Sequence, residues 1–311
     1  MSSDREPARL RLAQLPTPLE PYNLPGDGPK VWIKRDDLTG TPLTGNKVRK
    51  LEYLLADARD RGARRVATCG GIQSNHCRAT AIAAAQLGLG CQLFLRCDAP
   101  PPEDAPPTGN LALDRLVGAE VTFISHDQYR DRNRLMTAAT GPDGYVIPEG
   151  GSNALGSWGY LRCVDELMAQ WDQPPTAIVC ATGSGGTHAG LAIGVRRRDL
   201  DVPVYGVAIC DDSPTFQARV AQISAKASDR WPELPRLAAA DVKVIEGYKG
   251  GGYAVSHPDE LADIASVARD TGLLFDPVYT GKALRALLHE PDRFGERPLF
   301  LHTGGIFGLL A

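Results

Sequence analysis

Short apolar runs alternate with longer amphipathic segments along almost the whole chain, and this alternation constrains the fold more than any other feature of the sequence. Val31–Arg35 predicts a strand, and Asn46–Arg61 predicts a helix because its apolar residues recur every three or four positions. The same succession continues to a last predicted strand at Leu299–His302. Regular β-α alternation is typical of parallel sheets with helices on both faces, so we expect an α/β fold.

The number of predicted elements suits two α/β units better than one. Between the first and last strands, the further predicted strands are Arg65–Cys69, Gln92–Arg96, Glu120–Ile124, Ala177–Ala181, Val204–Ile209 and Val242–Ile245. The further predicted helices are Ser74–Leu87, Asn110–Leu116, Asn153–Gln170, Pro258–Thr271 and Gly281–His289. Two segments are expected to be loops, the proline-rich Asp98–Thr108 and the glycine-rich Gly247–Gly252.

The composition excludes several classes of function. A net charge of -3 without a dense basic run gives no electrostatic reason to expect nucleic acid or an anionic membrane as partner. No apolar run approaches the roughly 20 residues of a membrane span, and the polar start of the chain is unlike a signal peptide. The seven cysteines contain no Cys-x-x-Cys pair, and no cluster of cysteine and histidine has zinc-ligand spacing. We therefore expect reduced thiols, a cytoplasmic location and no bound metal.

Thr44-Gly45-Asn46-Lys47 stands at the start of the first predicted helix. Asn46 is a favourable N-cap, and an ammonium in the first turn of a helix faces the positive end of the helix dipole. This field favours a neutral amine near neutral pH, which a lysine needs in order to form a Schiff base. Taken alone, the context is more typical of a solvated surface lysine. Lys249 and Lys282 are rival candidates, but both lie in glycine-rich turns without such a field.

Gly70-Gly71-Ile72-Gln73-Ser74-Asn75-His76 directly follows a predicted strand and opens a predicted helix. The glycine pair and the helix start expose free backbone N–H groups, which suit a carboxylate or a phosphate. Ser74 adds a hydroxyl that can donate or relay a proton. The alternative interpretation of this motif is an ordinary helix N-cap.

Thr182-Gly183-Ser184-Gly185-Gly186-Thr187 also lies between a predicted strand and a predicted helix. Its glycines let the backbone wrap a phosphate, whose charge the helix N-terminus favours. The motif is neither G-x-G-x-x-G nor a P-loop. Because the next strand ends near Asp211, where a dinucleotide fold wants an acid, a nicotinamide-dependent dehydrogenase remains a competing interpretation.

Two further motifs lie near the end of the chain. In Asp276-Pro277-Val278-Tyr279-Thr280-Gly281-Lys282, Tyr279 can stack on an aromatic ring or move a proton, and Thr280 can hydrogen-bond a ring nitrogen. In His302-Thr303-Gly304-Gly305, the glycines permit close approach of a ligand. Each motif taken alone is more typical of a plain turn. Tyr253, which follows the glycine-rich loop, is a further candidate for the same site.

The ordered set of these motifs resembles the D-cysteine desulfhydrase / 1-aminocyclopropane-1-carboxylate (ACC) deaminase family of pyridoxal-phosphate (PLP) enzymes, which have the tryptophan-synthase-β-like fold type II. The resemblance runs from about Pro16 to the C-terminus and includes KRDDLTG, GNKVRKLEYL, GGIQSNH, EGGSNALGSWGY, DPVYTGKA and HTGG. It implies two open, twisted, mostly parallel sheets with PLP in the cleft between them. We expect a large PLP-binding domain of residues 1–50 and 156–311, with residues 51–155 inserted as a small domain.

The resemblance also implies roles for individual residues. Lys47 corresponds to the lysine that carries PLP as a Schiff base, with Lys50 near the cofactor phosphate. The implied phosphate cup consists of Gly183, Ser184, Gly185, Gly186 and Thr187. Asn75 corresponds to the asparagine beside the PLP 3′-oxygen, and Thr280 to the position that faces the pyridine nitrogen.

The implied catalytic residues are Lys47, Ser74 and Tyr279, and the implied binding site for the substrate carboxylate is Ser74, Asn75 and His76. ACC deaminases resemble this chain but carry Glu in place of Thr280 and Gln in place of His76, so these two positions look like the desulfhydrase branch. A neutral hydroxyl holds the ring nitrogen protonated less strongly than a carboxylate does, which favours prompt expulsion of a β-substituent.

We therefore expect β-elimination on a small amino acid, with D-cysteine giving pyruvate, ammonia and sulfide in a homodimeric enzyme. Within the class, ACC deaminase, L-cysteate sulfo-lyase and an amino-acid racemase remain open. Outside it, the nicotinamide-dependent dehydrogenase and a PLP-binding protein without turnover remain open.

Overall fold

The strands form two separate sheets in the computed structural model, which describes residues 6–25, 30–102 and 104–311. The larger sheet has the order β1-β2-β10-β7-β8-β9, and its strands are β1 Leu19–Asn23, β2 Lys30–Lys34, β7 Ala177–Thr182, β8 Val204–Ala208, β9 Lys243–Ile245 and β10 Pro298–Leu301. The smaller sheet has the order β5-β4-β3-β6, and its strands are β3 Arg65–Gly71, β4 Gly90–Arg96, β5 Glu120–Ile124 and β6 Gly144–Val146. Every pairing is parallel except that of β1 with β2, which confirms the expected α/β fold with two open, mostly parallel sheets.

Helices connect the strands, as a parallel sheet requires. They are α1 Lys47–Asp60, α2 Asn75–Gln86, α3 Gly109–Leu116, α4 His126–Arg130, α5 Arg132–Thr140, α6 Trp158–Met168, α7 Gly186–Arg197, α8 Ser213–Arg230, α9 Pro258–Thr271 and α10 Thr280–His289. The predicted helix at 153–170 begins later than expected, at Trp158, because residues 154–157 form a turn. No helix in the described residues is long and apolar enough to cross a membrane.

The largest apolar core cluster runs through the helix layers of both sheets. It includes Leu51 of α1, Val66 of β3, Trp158 of α6 and Ile193 of α7, each fully buried. Removal of apolar surface from water stabilises a fold by about 25 cal/mol per Å². This continuous packing is therefore the main contribution that stabilises the arrangement of the two sheets. Helix α1, which belongs to this core, is thereby held in place relative to both.

A buried ion-pair network fixes the beginning of α1. The Arg49 guanidinium donates to Asp36 Oδ1 at 2.8 Å and to Glu166 Oε2 at 2.9 Å, and the Tyr160 hydroxyl donates to Asp36 Oδ2 at 2.6 Å. Burial alone would raise the pKa of Asp36, but the adjacent Arg49 lowers it below its usual value. Breaking such a pair by removing one partner typically costs about 3–5 kcal/mol, so the first turn of α1 is firmly positioned.

Candidate active site

The carboxyl ends of β3, β4, β7 and β8 meet at one cavity of about 450 Å³, the usual ligand position in open α/β sheets. Its wall contains most of the residues predicted for the site, namely Lys47, Ser74, Asn75, His76, Gly183, Ser184, Gly185, Thr187 and Tyr279. These residues come from sequence positions that are far apart, so the fold brings the motifs together as expected. Tyr253 and Thr303 lie on the same wall.

Lys47 is the first residue of α1, and its side chain points into the cavity. Burial lowers the pKa of its amine to about 8, while Glu149 and Asp276 partly oppose the shift. The helix starts beside the last strand because Gly45 has a left-handed φ of +104° and allows close approach, where a Cβ would lie 2.8 Å from the Thr303 carbonyl oxygen. The arrangement places a partly neutral amine at the centre of the site.

Asn46 does not act as the predicted N-cap of α1. Its side chain makes no capping hydrogen bond, and its Nδ2 instead donates to Thr187 Oγ1 at 3.0 Å. This contact joins the start of α1 to the turn between β7 and α7. The contact between Asn46 and Thr187 depends on the tertiary fold. The local preference of asparagine for capping positions therefore could not predict it.

Ser74 caps the start of α2. Its Oγ accepts a hydrogen bond from the Cys77 amide at 3.2 Å, which leaves the hydroxyl proton free to donate. A Cβ on Gly70 would lie 2.4 Å from this Oγ, so the glycine permits the serine to fold back against the strand end. The N-terminus of α2 and the Ser74 hydroxyl together present donors for an anion.

Asn75 and His76 follow in the first turn of α2. The Asn75 Oδ1 accepts from Asn110 at 3.1 Å, which fixes the orientation of its amide. The His76 Nε2 lies 2.8 Å from Thr68 Oγ1, whereas its buried Nδ1 has no partner in the described part of the chain. Burial first, and then Lys47 and Lys50, lower the pKa of His76 well below its usual value. The imidazole is therefore neutral.

The turn Gly183–Thr187 joins β7 to α7 and forms a cup open to the cavity. Gly185 has a left-handed φ of +83°. Ser152 supports the turn, since its Oγ accepts from the Gly186 amide at 3.2 Å and lies 2.8 Å from Ser184 Oγ. A Cβ on Gly186 would lie 2.4 Å from Ser152 Oγ, so glycine is required there. The N–H groups that follow Gly186 at the start of α7 then lie beside the cavity, where they suit an anion.

Lys50 supports this cup from behind and does not line the cavity. Its Nζ donates to the Gly150 carbonyl at 3.0 Å and lies 3.5 Å from Ser152 Oγ. Burial, reinforced by Lys47, lowers the pKa of Lys50 well below its usual value. Lys50, which was expected near the cofactor phosphate, is therefore linked to the Gly183–Thr187 cup through Ser152.

Tyr279 and Tyr253 form a pair on the opposite wall. Their hydroxyl oxygens are 2.7 Å apart, and Lys47 Nζ lies 6.0 Å from the Tyr279 ring centroid. Burial is the main cause that raises the pKa of Tyr279 well above its usual value and that of Tyr253 to about 12. Both phenols are thus protonated at neutral pH and can share or donate a proton.

Thr280 differs from its expected position. Its hydroxyl donates to Asp276 Oδ1 at 2.6 Å and accepts from the Asp276 amide at 2.9 Å, and the side chain is fully buried outside the cavity wall. The Asp276 carboxylate also accepts from the amides of Val278 and Tyr279. Thr280 therefore helps to hold the turn that carries Tyr279, whereas Thr303 is a threonine that does line the cavity.

Several residues on or behind the wall were not predicted from the sequence. They are Arg96, Tyr129, Arg132, Glu149 and Ser152. Ser152 stands inside the EGGSNALGSWGY motif, which was a signal that this segment belongs to the site. Glu149 is the first residue of the same motif, whereas Arg96, Tyr129 and Arg132 lie at a strand end or in helices without a local pattern. Within the described residues, no group of three metal-binding side chains could hold a metal ion.

A family model described as pyridoxal-phosphate dependent enzyme matches residues 10–304. The chain is 42% identical to the bifunctional D-cysteine desulfhydrase/1-aminocyclopropane-1-carboxylate deaminase of Arabidopsis thaliana, over 96% of this chain and 78% of that protein. It is 39% identical to a D-cysteine desulfhydrase of Yersinia pestis, over 97% and 95%. A crystal structure of an ACC deaminase homologue superposes with a TM-score of 0.86 at 33% identity, covering 98% of this chain and 94% of that one.

The residues of the cavity fit PLP. Lys47 supplies an amine with a lowered pKa, and the Gly183–Thr187 cup, where a Cβ on Gly186 would lie 2.4 Å from Ser152 Oγ, suits a phosphate. The family match removes the support for a nicotinamide-dependent dehydrogenase, whose fingerprint was incomplete. The chain belongs to the family of pyridoxal-phosphate dependent enzymes, and its cofactor is pyridoxal phosphate.

Proposed function

We propose that this enzyme is a lyase that eliminates the β-substituent of a small amino acid and converts D-cysteine to pyruvate, ammonia and sulfide. The observation that carries the proposal is the placement of Lys47 opposite the hydroxyl-paired Tyr279 and Tyr253 in one cavity. A base and a pair of protonated phenols are what a β-elimination needs. The similarity to the D-cysteine desulfhydrases of Arabidopsis thaliana and Yersinia pestis supports the choice of D-cysteine.

The residues that would hold PLP divide into three groups. Lys47 would bind it covalently, and the Gly183–Thr187 cup with the N-terminus of α7 would bind its phosphate. Asn75, oriented by Asn110, would contact the 3′-oxygen. For the ring nitrogen we propose Thr303 in place of Thr280, because Thr303 lines the cavity and the Thr280 hydroxyl is engaged with Asp276. When bound, PLP supplies an electron sink for the bond-breaking at the substrate.

The protein's own groups would bind the substrate and move its protons. The N-terminus of α2, with Ser74, Asn75 and His76, would bind the substrate carboxylate. The Lys47 amine, once free, takes the proton from the α-carbon. The carbon–sulfur bond then breaks, its electron pair leaves with sulfur, and Tyr279 or Ser74 donates a proton to the leaving group. Water converts the remaining enamine to pyruvate and ammonia, which balances the reaction.

ACC deamination is the second candidate within the class. It is supported by the similarity to the Arabidopsis thaliana relative, which is named as bifunctional, and to the ACC deaminase homologue. Against it, ACC deaminases carry Glu at position 280, and the Thr280 hydroxyl here stays within the turn of Asp276. L-Cysteate sulfo-lyase and racemase activities remain further alternatives.

A substrate panel tests the proposal. The PLP-loaded enzyme is incubated with D-cysteine, L-cysteine, ACC and L-cysteate, with Lys47→Ala as the control. We expect pyruvate and sulfide from D-cysteine and neither from the control. Three results would contradict the proposal if their kcat/KM exceeded that of D-cysteine turnover. Formation of 2-oxobutyrate from ACC would indicate an ACC deaminase, and sulfite from L-cysteate would indicate a sulfo-lyase. Formation of the opposite enantiomer without a keto acid would indicate a racemase.

We also propose that the enzyme works as a homodimer in the cytoplasm. All seven cysteines are free thiols, and burial raises the pKa of several of them, for example Cys69 and Cys180 to about 12. Inert, reduced thiols suit a reducing compartment. The exposed apolar side chains of Leu38, Ile306 and Leu310 line one groove, which supports association with a second copy.

A further inference from the structure

Most charged side chains at the cavity wall neutralise one another. The pairs are Arg132 with Glu149 at 3.5 Å and Arg219 with Asp211 at 2.7 Å. Arg96 is different, because its guanidinium has no carboxylate or carbonyl acceptor among the described residues. An arginine on a cavity wall with its donors unused is a binding group for an anion.

Two aromatic rings hold the Arg96 guanidinium. Its Cζ lies 4.7 Å from the Tyr129 ring centroid and 5.5 Å from that of Tyr253. Stacking on rings orients the planar fork and removes part of its hydration, which strengthens a charge-assisted hydrogen bond to an incoming anion. The guanidinium is therefore prepared for a ligand before the ligand arrives.

The register of the small sheet places Arg96 beside the reacting centre. Arg96 ends β4 and pairs with Gly71 at the end of β3. A Cβ on Gly71 would lie 3.2 Å from the Tyr253 ring, so this tyrosine packs over the strand end next to Arg96. Tyr253 is in turn bonded to Tyr279, whose ring faces Lys47. Arg96 thus adjoins the tyrosine pair through Tyr253 and lines the same cavity as Lys47.

We propose that Arg96 binds the anionic group on the β-carbon of the substrate, a thiolate or a sulfonate, and that it selects substrates whose β-substituent departs as an anion. The proposal rests on the proposed function and deepens it. As the carbon–sulfur bond breaks, negative charge develops on sulfur, and a guanidinium aimed at that atom stabilises the charge. The α-carboxylate has its own donors at Ser74 and the start of α2.

A binding comparison separates the β-anion from the α-carboxylate. Cysteate and alanine, each in both configurations, are titrated into PLP-loaded enzyme and followed by the visible absorbance of bound PLP. Both carry the α-carboxylate, but only cysteate carries a β-sulfonate. We expect Arg96→Gln to weaken cysteate binding at least about tenfold, as loss of a charge-assisted hydrogen bond implies, and to leave alanine binding unchanged.

Arg132→Gln is the matched control, because Arg132 also stacks on Tyr129 (4.8 Å) but is already paired with Glu149. We expect it to leave the cysteate-to-alanine ratio unchanged. An equal loss for both ligands in Arg96→Gln, no loss for either, or the same change in Arg132→Gln would overturn the proposal. Because this experiment measures binding, its outcome does not depend on D-cysteine turnover. An absence of D-cysteine turnover in the wild type would instead count against the proposed function.

Discussion

At the scale of single residues, the chemistry depends on how poorly the site solvates the charged form of Lys47. Burial lowers the pKa of its amine to about 8 from 10.5, and the opposing influence of Glu149 and Asp276 keeps it from falling further. Lys50, one turn later, is buried, and its Nζ donates a hydrogen bond to the Gly150 carbonyl oxygen. Two neighbouring lysines therefore have different tasks, one reactive and one structural.

The acylation rate of Lys47 in PLP-free enzyme should follow this pKa. A lysine whose folded pKa lies below its unfolded value loses its proton first in the folded state, so the neutral amine is half formed near pH 8. We expect the rate constant for acylation, measured by mass spectrometry of the Lys47 peptide, to level off above about that pH. Glu149→Gln removes a group that raises the pKa and should move the midpoint to lower pH.

The exposed Lys226 in the same samples provides the reference rate. If the rate at Lys47 continues to climb to pH 10.5 without a plateau, the amine is not desolvated as described. By linkage, the folded apoenzyme also gains stability from this residue as pH rises from about 8 towards 10.5, because the unfolded chain holds the proton over that interval.

The sequence predicted the residue types of the site better than their individual contacts. Lys47, Ser74 and Tyr279 lie on one cavity wall because each stands at the start of a helix that follows a strand or turn. The sequence did not predict that the Thr280 hydroxyl contacts Asp276 or that the Lys50 amine contacts the Gly150 carbonyl, because tertiary packing determines these partners. A motif specifies that a residue is near a site but not which way its side chain turns.

At the scale of elements, helix α10 controls the glycine-rich segment 249–255. The Lys282 ammonium donates to the carbonyl oxygens of Lys249 at 2.7 Å, Gly252 at 2.6 Å and Val255 at 3.2 Å. The same segment carries Tyr253 to the cavity, where it bonds Tyr279. One buried lysine thereby ties the segment to the helix that begins next to Tyr279.

Lys282→Met should release this segment. We expect faster amide hydrogen exchange in residues 249–255 and a fall in kcat/KM for D-cysteine of about tenfold, because Tyr253 is no longer held against Tyr279. Lys282→Arg should restore part of the protection from exchange and part of the kcat/KM. The PLP absorbance should persist in each variant. Lys249→Met is the control, since the Lys249 side chain is exposed and only its carbonyl is used. Equal exchange in all variants would show that Lys282 is not the tether.

The order of helices and strands was largely predictable, and the short elements were not. The predicted helix at 258–271 coincides with α9, because His257 and Glu260 mark its start and Gly272 its end. Strands β1 and β6 and helices α4 and α5 were missed, because β1 contains Pro21, β6 and α4 have only three and five residues, and α5 buries only Met136 and Thr140. Their positions depend on pairing with β2, β3 and β4, which local sequence does not encode.

At the scale of the whole molecule, the site exists only because two sheets face one cleft. The small sheet supplies the anion donors of α2 and Arg96, and the large sheet supplies the cup at α7. We propose that residues 51–155 form a domain inserted between 1–50 and 156–311, since all strands of the small sheet fall within that interval. Lys47 stands at the start of α1, the helix that passes from one unit into the other.

The most direct test of this account is to locate the attached cofactor. The purified, PLP-loaded enzyme is reduced with borohydride, digested, and its peptides are examined by mass spectrometry. We predict that PLP is fixed to Lys47 alone, and that Lys47→Ala loses the covalent adduct but still binds PLP reversibly through the Gly183–Thr187 cup. Attachment to Lys50, Lys249 or Lys282, or an unchanged adduct in Lys47→Ala, would contradict the account.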